Sequence, residues 1–475
     1  MSRLNKVVQA TAAVAGVIAV AVWVAMMGTA TPASASNLCV SSYSTVPYHS
    51  IQDAIDAASD GDRITIAQGT WYETLVITEN ITLEGGYSQK CTTRQSEDPQ
   101  YTVVDGGAAG SVVSITSGST AILDGLTVTN GQSQKGGGVY VSGASPTLNN
   151  LLVTGNVISP TGSSYLQWGY GGGVYVYEGT ITLTDCDITY NTSHPDASEY
   201  CLGGGLALES EALDPAIAII DNTRIMSNTD PSPFMNRLLG GGLYLDPQSQ
   251  VTFEGTGNLI AYNVAYGGGG VYMYGDVALE GVLIRDNYAM SGGGGIHVSS
   301  GYDGGRIANN YLLRNSTSSG GASISASPLD MEIANNTIVG DLSGSDAGIY
   351  IGPTGPEGLK LVNNIIVSHT TGIEKQSGPS VTLANNDVWG NATNYVGVSA
   401  GSGDISQDPA FVDPDNGDYH LGASSPCINA GAYIDWLLFD YEGDRRTGTL
   451  LDIGADEYGS DYLSFVPAAL KMYAP

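Results

Sequence analysis

Charge is scarce in this chain of 475 residues: 13% of positions are charged, and only 16 are Lys or Arg. So few cations exclude long amphipathic helices with paired polar faces. Against them stand 47 Asp and Glu, giving a formal charge of −31. A surface that acidic repels nucleic acid and anionic lipid. It suits cation binding, or simply the solubility of an exported protein. No CxxC pair occurs, which argues against a zinc site built on cysteine. Neither GxGxxG nor a P-loop lysine accompanies the glycine runs, so these are not nucleotide-phosphate loops. Gly397 to Gly401 reads GVSAG, but Ser402-Gly403-Asp404 follows where a nucleophile elbow needs a helix, so the match is coincidental.

What is abundant is glycine, at 65 residues about twice ordinary usage. It marks a chain of strands and turns. At the amino terminus, Arg3 and Lys6 precede an apolar run from Ala12 to Met27 and then Ala33-Ser34-Ala35. This order predicts a secretory signal peptide over 1–35, cleaved after Ala35; the alternative is an uncleaved anchor over Val7 to Gly28. Removing two basic and no acidic residues takes the formal charge from −31 to −33. The five cysteines, in an exported chain, allow two disulfides. The pairings expected are Cys39 with Cys91, bracketing the first module, and Cys186 with Cys201, bracketing one insertion.

Internal repetition is the strongest signal. The residues following successive glycine runs are Val139, Val174, Leu206, Leu243, Val271, Ile296, Ser323, Ile349 and Ile373, at steps of 35, 32, 37, 28, 25, 27, 26 and 24. A period that drifts upward from a floor near 24 is that of a stacked coil with loop insertions. A second column holds Asn150, Asp185, Asn222, Gly257, Gly281, Asn309, Asn335, Asn363 and Asn385, each between two short apolar runs. These residues are expected at sharp bends, in left-handed backbone, with stacked asparagines passing hydrogen bonds from coil to coil at a strand spacing of about 4.8 Å. Inward Val, Leu and Ile then form one continuous core.

Glycine runs before VY or IY, NN bends and a period in the twenties resemble the right-handed parallel β-helix of the pectin-lyase-like superfamily, over 101–403. The resemblance implies an all-β solenoid of about ten or more coils. Residues 36–100 read as the entry and first coils. Ser50 and Asp53 frame a short capping helix whose apolar face is Ile51, Ala54, Ile55 and Ala58, followed by strands near Arg63–Ala67, Leu75–Thr78 and Ile81–Glu84. Residues 404–458 are similar to the choice-of-anchor Q region of secreted bacterial β-helix proteins, through Asn416-Gly417-Asp418-Tyr419, Ser425-Pro426, Asn429-Ala430-Gly431, Arg445-Arg446 and Asp452-Ile453-Gly454-Ala455; 459–475 form a tail. That likeness implies an extracellular or surface-attached protein.

Alternation along the glycine-led strand predicts an outward column of Tyr140, Tyr175, Ala207, Tyr244, Tyr272, His297, Ile324, Tyr350 and Glu374, and beside it Ser142, Tyr177, Glu209, Asp246, Tyr274 and Ser299. Tyrosine rings next to carboxylates suit sugar faces and hydroxyls; equally, the rings could stack only on each other. The binding face is therefore Tyr140, Tyr175, Tyr177, Tyr244, Tyr272, Tyr274 and Tyr350. Candidates for catalysis are Glu209 and Asp246, with Tyr272 and His297 for proton transfer. Lyases of the resembled fold pair calcium-bound carboxylates with Lys or Arg, and the nearest basic residue in these columns is the distant Lys375; its hydrolases carry Asp-Asp and Gly-His-Gly elements, which do not occur. The expected function is thus non-catalytic binding of an extracellular polysaccharide or cell-surface component by a monomer, the alternatives being a polysaccharide lyase or hydrolase and a structural envelope protein. Calcium is the one cofactor considered, on Asp413, Asp415 and Asp418 and, further on, Asp440, Glu442 and Asp444; the competing reading of these residues is plain Asx-turns.

Overall fold

The computed structural model describes residues 35–159, 168–193, 200–211, 214–230, 238–301, 304–327, 330–342, 346–353, 358–378, 380–446 and 450–459. The segment carrying the expected signal peptide, and the tail beyond 459, lie outside them. The unit starting at Asn37 is a solenoid of short parallel strands. One flank is a sheet of twelve strands, from Gly69–Tyr72 to Asp387–Trp389, each on a successive coil. The glycine-led strands, Val139–Ala144, Val174–Thr184, Leu206–Glu209, Leu243–Leu245, Val271–Tyr274, Ile296–Ser299 and their neighbours, build the opposite face. Val174–Thr184 runs on past its bend and so joins this face to the strands that lead into the NN corner. Ala278–Glu280, Gly305–Ala308, Met331–Ala334, Lys360–Val362 and Thr382–Ala384 continue those strands in later coils.

Like stacks on like, as the repeat requires: Val139, Val174, Leu206, Leu243, Val271 and Ile296 are adjacent in register and fully buried. The register departs from the sequence alignment at one coil. Ile296 pairs with Ile324, not Ser323, so Ile324 is inward and Ser325 takes the outward place beside His297. Ala322 and Ser323 are small enough to replace two glycines of the run, which hid the offset.

The entry helix α1, Ile51–Ala57, is as expected. Asp53 N–H donates to Ser50 Oγ at 3.2 Å, and Ile51, Ala54 and Ile55 are buried. Glu73, from the first coil, accepts from Ile51 N–H at 2.9 Å and Gln52 N–H at 3.0 Å, a carboxylate where orphan amides point. Cys39 and Cys91 are disulfide-bonded, tying the first strand to the loop after the second coil. Cys186 and Cys201 are not bonded to each other. Cys186 packs in the main core while Cys201 belongs to a separate cluster with Ile158, Leu238 and Ala265, outside the glycine-led wall. Sequence proximity across the insertion does not bring them together.

The bend column holds in all but one place. Asn150, Asp185, Asn222, Gly281, Asn309, Asn335, Asn363 and Asn385 have positive φ, from 44° to 71°. The exception is Gly257: register places Gly255, φ 65°, opposite Asn222, and Thr256-Gly257 are inserted after the corner. The main hydrogen-bond ladder, however, runs one residue further on. Asn310, Asn336 and Asn364 each donate from Nδ2 to the next coil's Oδ1 at 3.0 Å, ending on Asn386, and all four are fully buried. A left-handed residue turns the chain, so its successor is the one whose side chain enters the core. A second ladder, which the bend column does not contain, links Asn156, Asn191, Asn228, Asn263, Asn287 and Asn315 at 3.0–3.1 Å.

That second ladder explains the glycines. A Cβ on Gly173 would lie 2.6 Å from Ile188 Cγ2, 2.7 Å from Gly205 O and 2.8 Å from Asn191 Nδ2. The glycine run passes directly over the asparagine ladder and the next coil's backbone, and Gly171 before it turns at φ 59°.

Candidate functional site

The outward tyrosines of the glycine-led face come together, but as stacks more than as an open stripe. Tyr140 stacks on Tyr175 (centroids 5.8 Å, 11°), and Tyr175 on Tyr170 (5.1 Å, 30°). Past the small Ala207, Tyr244 stacks on Tyr272 (5.8 Å, 16°) and Tyr272 on His297 (4.9 Å, 28°), with Tyr274 edge-on to Tyr272 at 6.1 Å. Tyr175 and Tyr244, expected on an open face, are buried; Tyr140, Tyr177, Tyr272 and Tyr274 are half-buried. The cover comes from the residues just ahead of each glycine run. Gly169–Tyr170, Cys201–Leu202 and Leu238–Leu239 form a small parallel sheet that leans over the wall. Tyr350 is half-buried and stands apart, in register with Ser325 and Glu374.

Glu209 and Asp246 do meet this cluster. Asp246 N–H donates to Leu208 O at 3.1 Å, which continues the ladder and sets the two acids on adjacent coils. The Tyr175 hydroxyl donates to Glu209, and the Tyr244 hydroxyl to Asp246 at 3.1 Å. Burial, acting against the Tyr244 hydrogen bond and reinforced by the charge of Glu209, pushes the Asp246 carboxyl up to about 6. Burial first, then Glu209, holds the Tyr170 and Tyr175 phenols well above their usual range; for Tyr244 the second cause is Asp246. Burial also pushes the Tyr272 phenol up and lowers the His297 imidazole to about 4, so that it is neutral near pH 7, and among the described residues His297 Nδ1 is buried without a hydrogen-bond partner. Burial thus brings the Asp246 carboxyl close to neutrality. Tyr272 and His297 are poorly matched to carrying protons there.

Two features were outside the sequence columns. Lys135, on the turn ahead of the glycine run, holds its ammonium 5.9, 5.6 and 5.2 Å from the ring centroids of Tyr170, Tyr175 and Tyr177. Strand alternation does not place a loop lysine, and within the strand columns the nearest cation is as distant as Lys375. Beside the second stack opens a pocket of about 350 Å³ lined by Trp168, Tyr200, Leu202, Leu239, Tyr244, Tyr266, Gly267, Tyr272, Tyr274, Ser291 and His297. Trp168 and Tyr200, 43% and 44% exposed, meet edge-on at 6.3 Å at its rim. A legible signal existed: an apolar or aromatic residue stands before four of the glycine runs, at Tyr170, Leu202, Leu239 and Tyr266.

Asp413 and Asp418, two of the calcium candidates, are register partners across the hairpin from Phe411–Asp413 to Asp418–Leu421. Asp413 accepts from Asn416 Nδ2 at 2.7 Å, and Asp418 lies 2.6 Å from His420 Nδ1. Among the described residues, one group of three His, Cys, Asp or Glu donors gathers within 4.8 Å, and it is His420, Glu442 and Asp456.

The stacked coils are matched by the family model for the right-handed beta helix region, over residues 101–267 and 204–406, more than half of the chain. The protein belongs to that β-helix family. Among solved structures this β-helix is similar to the pectate lyase Pel9A (14% identity, TM-score 0.40, covering 89% of this chain and 97% of that one). It is also similar to PfbA, a surface adhesin of Streptococcus pneumoniae (12%, TM-score 0.45, 73% and 87%), and to XylC solved with xylose (10%, TM-score 0.44, 89% and 98%). At these identities no chemistry passes from them to this chain. Comparison with curated proteins found no match.

Proposed function

We propose that this β-helix is an extracellular or surface-attached protein that binds glycan, without chemical turnover, in the aromatic pocket on its glycine-led face. The observation that carries this reading is the pocket wall: exposed Trp168 and Tyr200 at the rim and Tyr272, Tyr274 and Tyr266 within, with Ser291 as a polar contact. Flat rings beside hydroxyls match the faces and edges of a pyranose. Neither Glu209 nor Asp246 lines it, and both acids are engaged by tyrosine hydroxyls. The formal charge of −31 disfavours polyuronates and leaves neutral glycans as the better ligands. The choice-of-anchor resemblance of 404–458 supports attachment at a cell surface.

A second reading rests on Lys135. Its ammonium shares the Tyr175 ring with Glu209, bringing a cation and two carboxylates into one cluster, the groups a polysaccharide lyase would use. The test incubates the protein with neutral and uronate polysaccharides, with and without calcium, following both retention and new chain ends. Retention of a neutral glycan that is lost in Trp168→Ala, with no new ends, supports binding. Unsaturated or reducing ends that vanish in Asp246→Asn or Lys135→Gln overturn it.

A further inference from the structure

The chain after the last coil folds back onto the twelve-stranded flank. Tyr419, Leu421, Cys427, Tyr441, Ile453 and Ala455 pack against outward Leu259, Leu283, Tyr311, Leu313 and Ile365. Inside this junction His420, Glu442 and Asp456 offer donor atoms within 4.8 Å of one another. They come from three separate stretches: the strand Asp418–Leu421, the turn after Tyr441 and the Gly454–Glu457 segment. His420 Nδ1 lies 2.6 Å from Asp418 Oδ1, so a proton on Nδ1 is held there and Nε2 faces Glu442 Oε1 at 3.1 Å. A carboxylate on the far imidazole nitrogen is how metal-binding histidines are oriented.

Two further atoms point to an occupant. Among the described residues, Glu442 Oε2 and the Tyr311 hydroxyl are both buried with no hydrogen-bond partner, on side chains 7% and 0% exposed. The Tyr311 phenol feels the charges of Glu442, Asp456 and Asp440. Buried polar atoms left unpaired carry a desolvation cost that nothing here offsets. The neighbouring Arg446 is committed to Glu457 at 2.8 Å, to Asn309 and to the carbonyls of Gly454 and Ala455. Glu442 also lines a groove of about 310 Å³ between residues 436–443 and the solenoid, which gives an ion a way in.

We propose that His420 Nε2, Glu442 and Asp456 bind a divalent transition cation of the zinc class, oriented by Asp418, with the Tyr311 hydroxyl placed to bond a metal-held water. An imidazole among carboxylates selects such a cation over calcium or magnesium, which take oxygen donors. The ion clamps the carboxy-terminal region to the flank.

The test uses full-length protein, dialysed and assayed for metal by mass spectrometry, with thermal midpoints recorded in EDTA and after adding Zn²⁺ or Ca²⁺ at equal ionic strength. One tightly held zinc per chain is expected, with a midpoint that falls on chelation and is restored by Zn²⁺ and not by Ca²⁺. His420→Gln should abolish stoichiometric binding, and Asp418→Asn, which keeps all three ligands, should weaken it about 10- to 100-fold. A wild-type midpoint indifferent to chelation means a buried water occupies the site and overturns the proposal. So does an equal response to Ca²⁺, or an unchanged response in His420→Gln, either of which assigns the effect to the acidic surface. If His420→Gln does not fold, wild-type chelation and Asp418→Asn decide.

Discussion

The two outer faces of this solenoid are covered in opposite ways. The flank presents Leu259, Leu283, Leu313, Val339, Ile365 and Val367 outward, and a continuous stretch of the same chain seals them. The glycine-led face presents tyrosines, and short pieces of neighbouring coils lean over them, closing Tyr175 and Tyr244 while leaving a pocket beside Tyr272. An aliphatic outer face demands a cover, because it has no polar edge to offer water. An aromatic face with hydroxyls tolerates partial exposure and can take a ligand. The bend asparagines serve the sealed side: Asn335 donates to Asp452 O, Asn363 to Ala432 O and Asn385 to Ala430 O, each at 2.9 Å.

The largest expected effect breaks the sealed side. Arg446→Ala removes the guanidinium that pairs with the buried Glu457 and should cost about 3–5 kcal/mol, releasing the carboxy-terminal region to limited proteolysis while the coils stay folded. Simultaneous loss of both would show that the solenoid cannot stand without its cover. Next, Asn228→Ala cuts the ladder beneath the glycine wall, stranding Asn191, Asn263 and Ile188 O. A loss of about 2–3 kcal/mol in chemical denaturation is expected; a negligible loss would mean the ladder is passive. On the open side, Trp168→Ala should weaken glycan retention about tenfold, roughly 1.4 kcal/mol, without lowering the thermal midpoint appreciably.

Smaller still is the pH effect of Asp246. Its folded pKa, about 6, lies above the ordinary 3.8, so its contribution is present at low pH and is lost as pH rises from about 4 through about 6. Asp246→Asn should therefore gain midpoint relative to wild type across that interval. A flat difference would show that the tyrosine cover does not desolvate the carboxyl. Last, denatured unreduced protein should yield three reactive thiols, from Cys186, Cys201 and Cys427; a single thiol would restore the Cys186–Cys201 bridge.

Much of the frame was legible because period and burial are one-dimensional facts in a solenoid: each coil repeats the last, so columns in sequence become columns in space. The inward valines, the left-handed bends and the α1 cap follow from it. Where insertions shift the count, at Ser323 and Gly257, alignment by motif slipped although register did not. The site was half legible. Strand alternation puts Tyr272 and Tyr274 on the face where the pocket opens, but what leans over that face comes from loops, whose reach no period encodes.

By itself the sequence determined the coil, its core and the residue types along each edge, since these depend on local alternation and on neighbours one coil away. Tertiary structure alone decided which tyrosines stay accessible, that Lys135 joins Tyr175, and that His420, Glu442 and Asp456 meet. Those outcomes depend on how insertions and the carboxy-terminal region fold back across many coils, and side chains so far apart in the chain are joined by packing rather than by pattern.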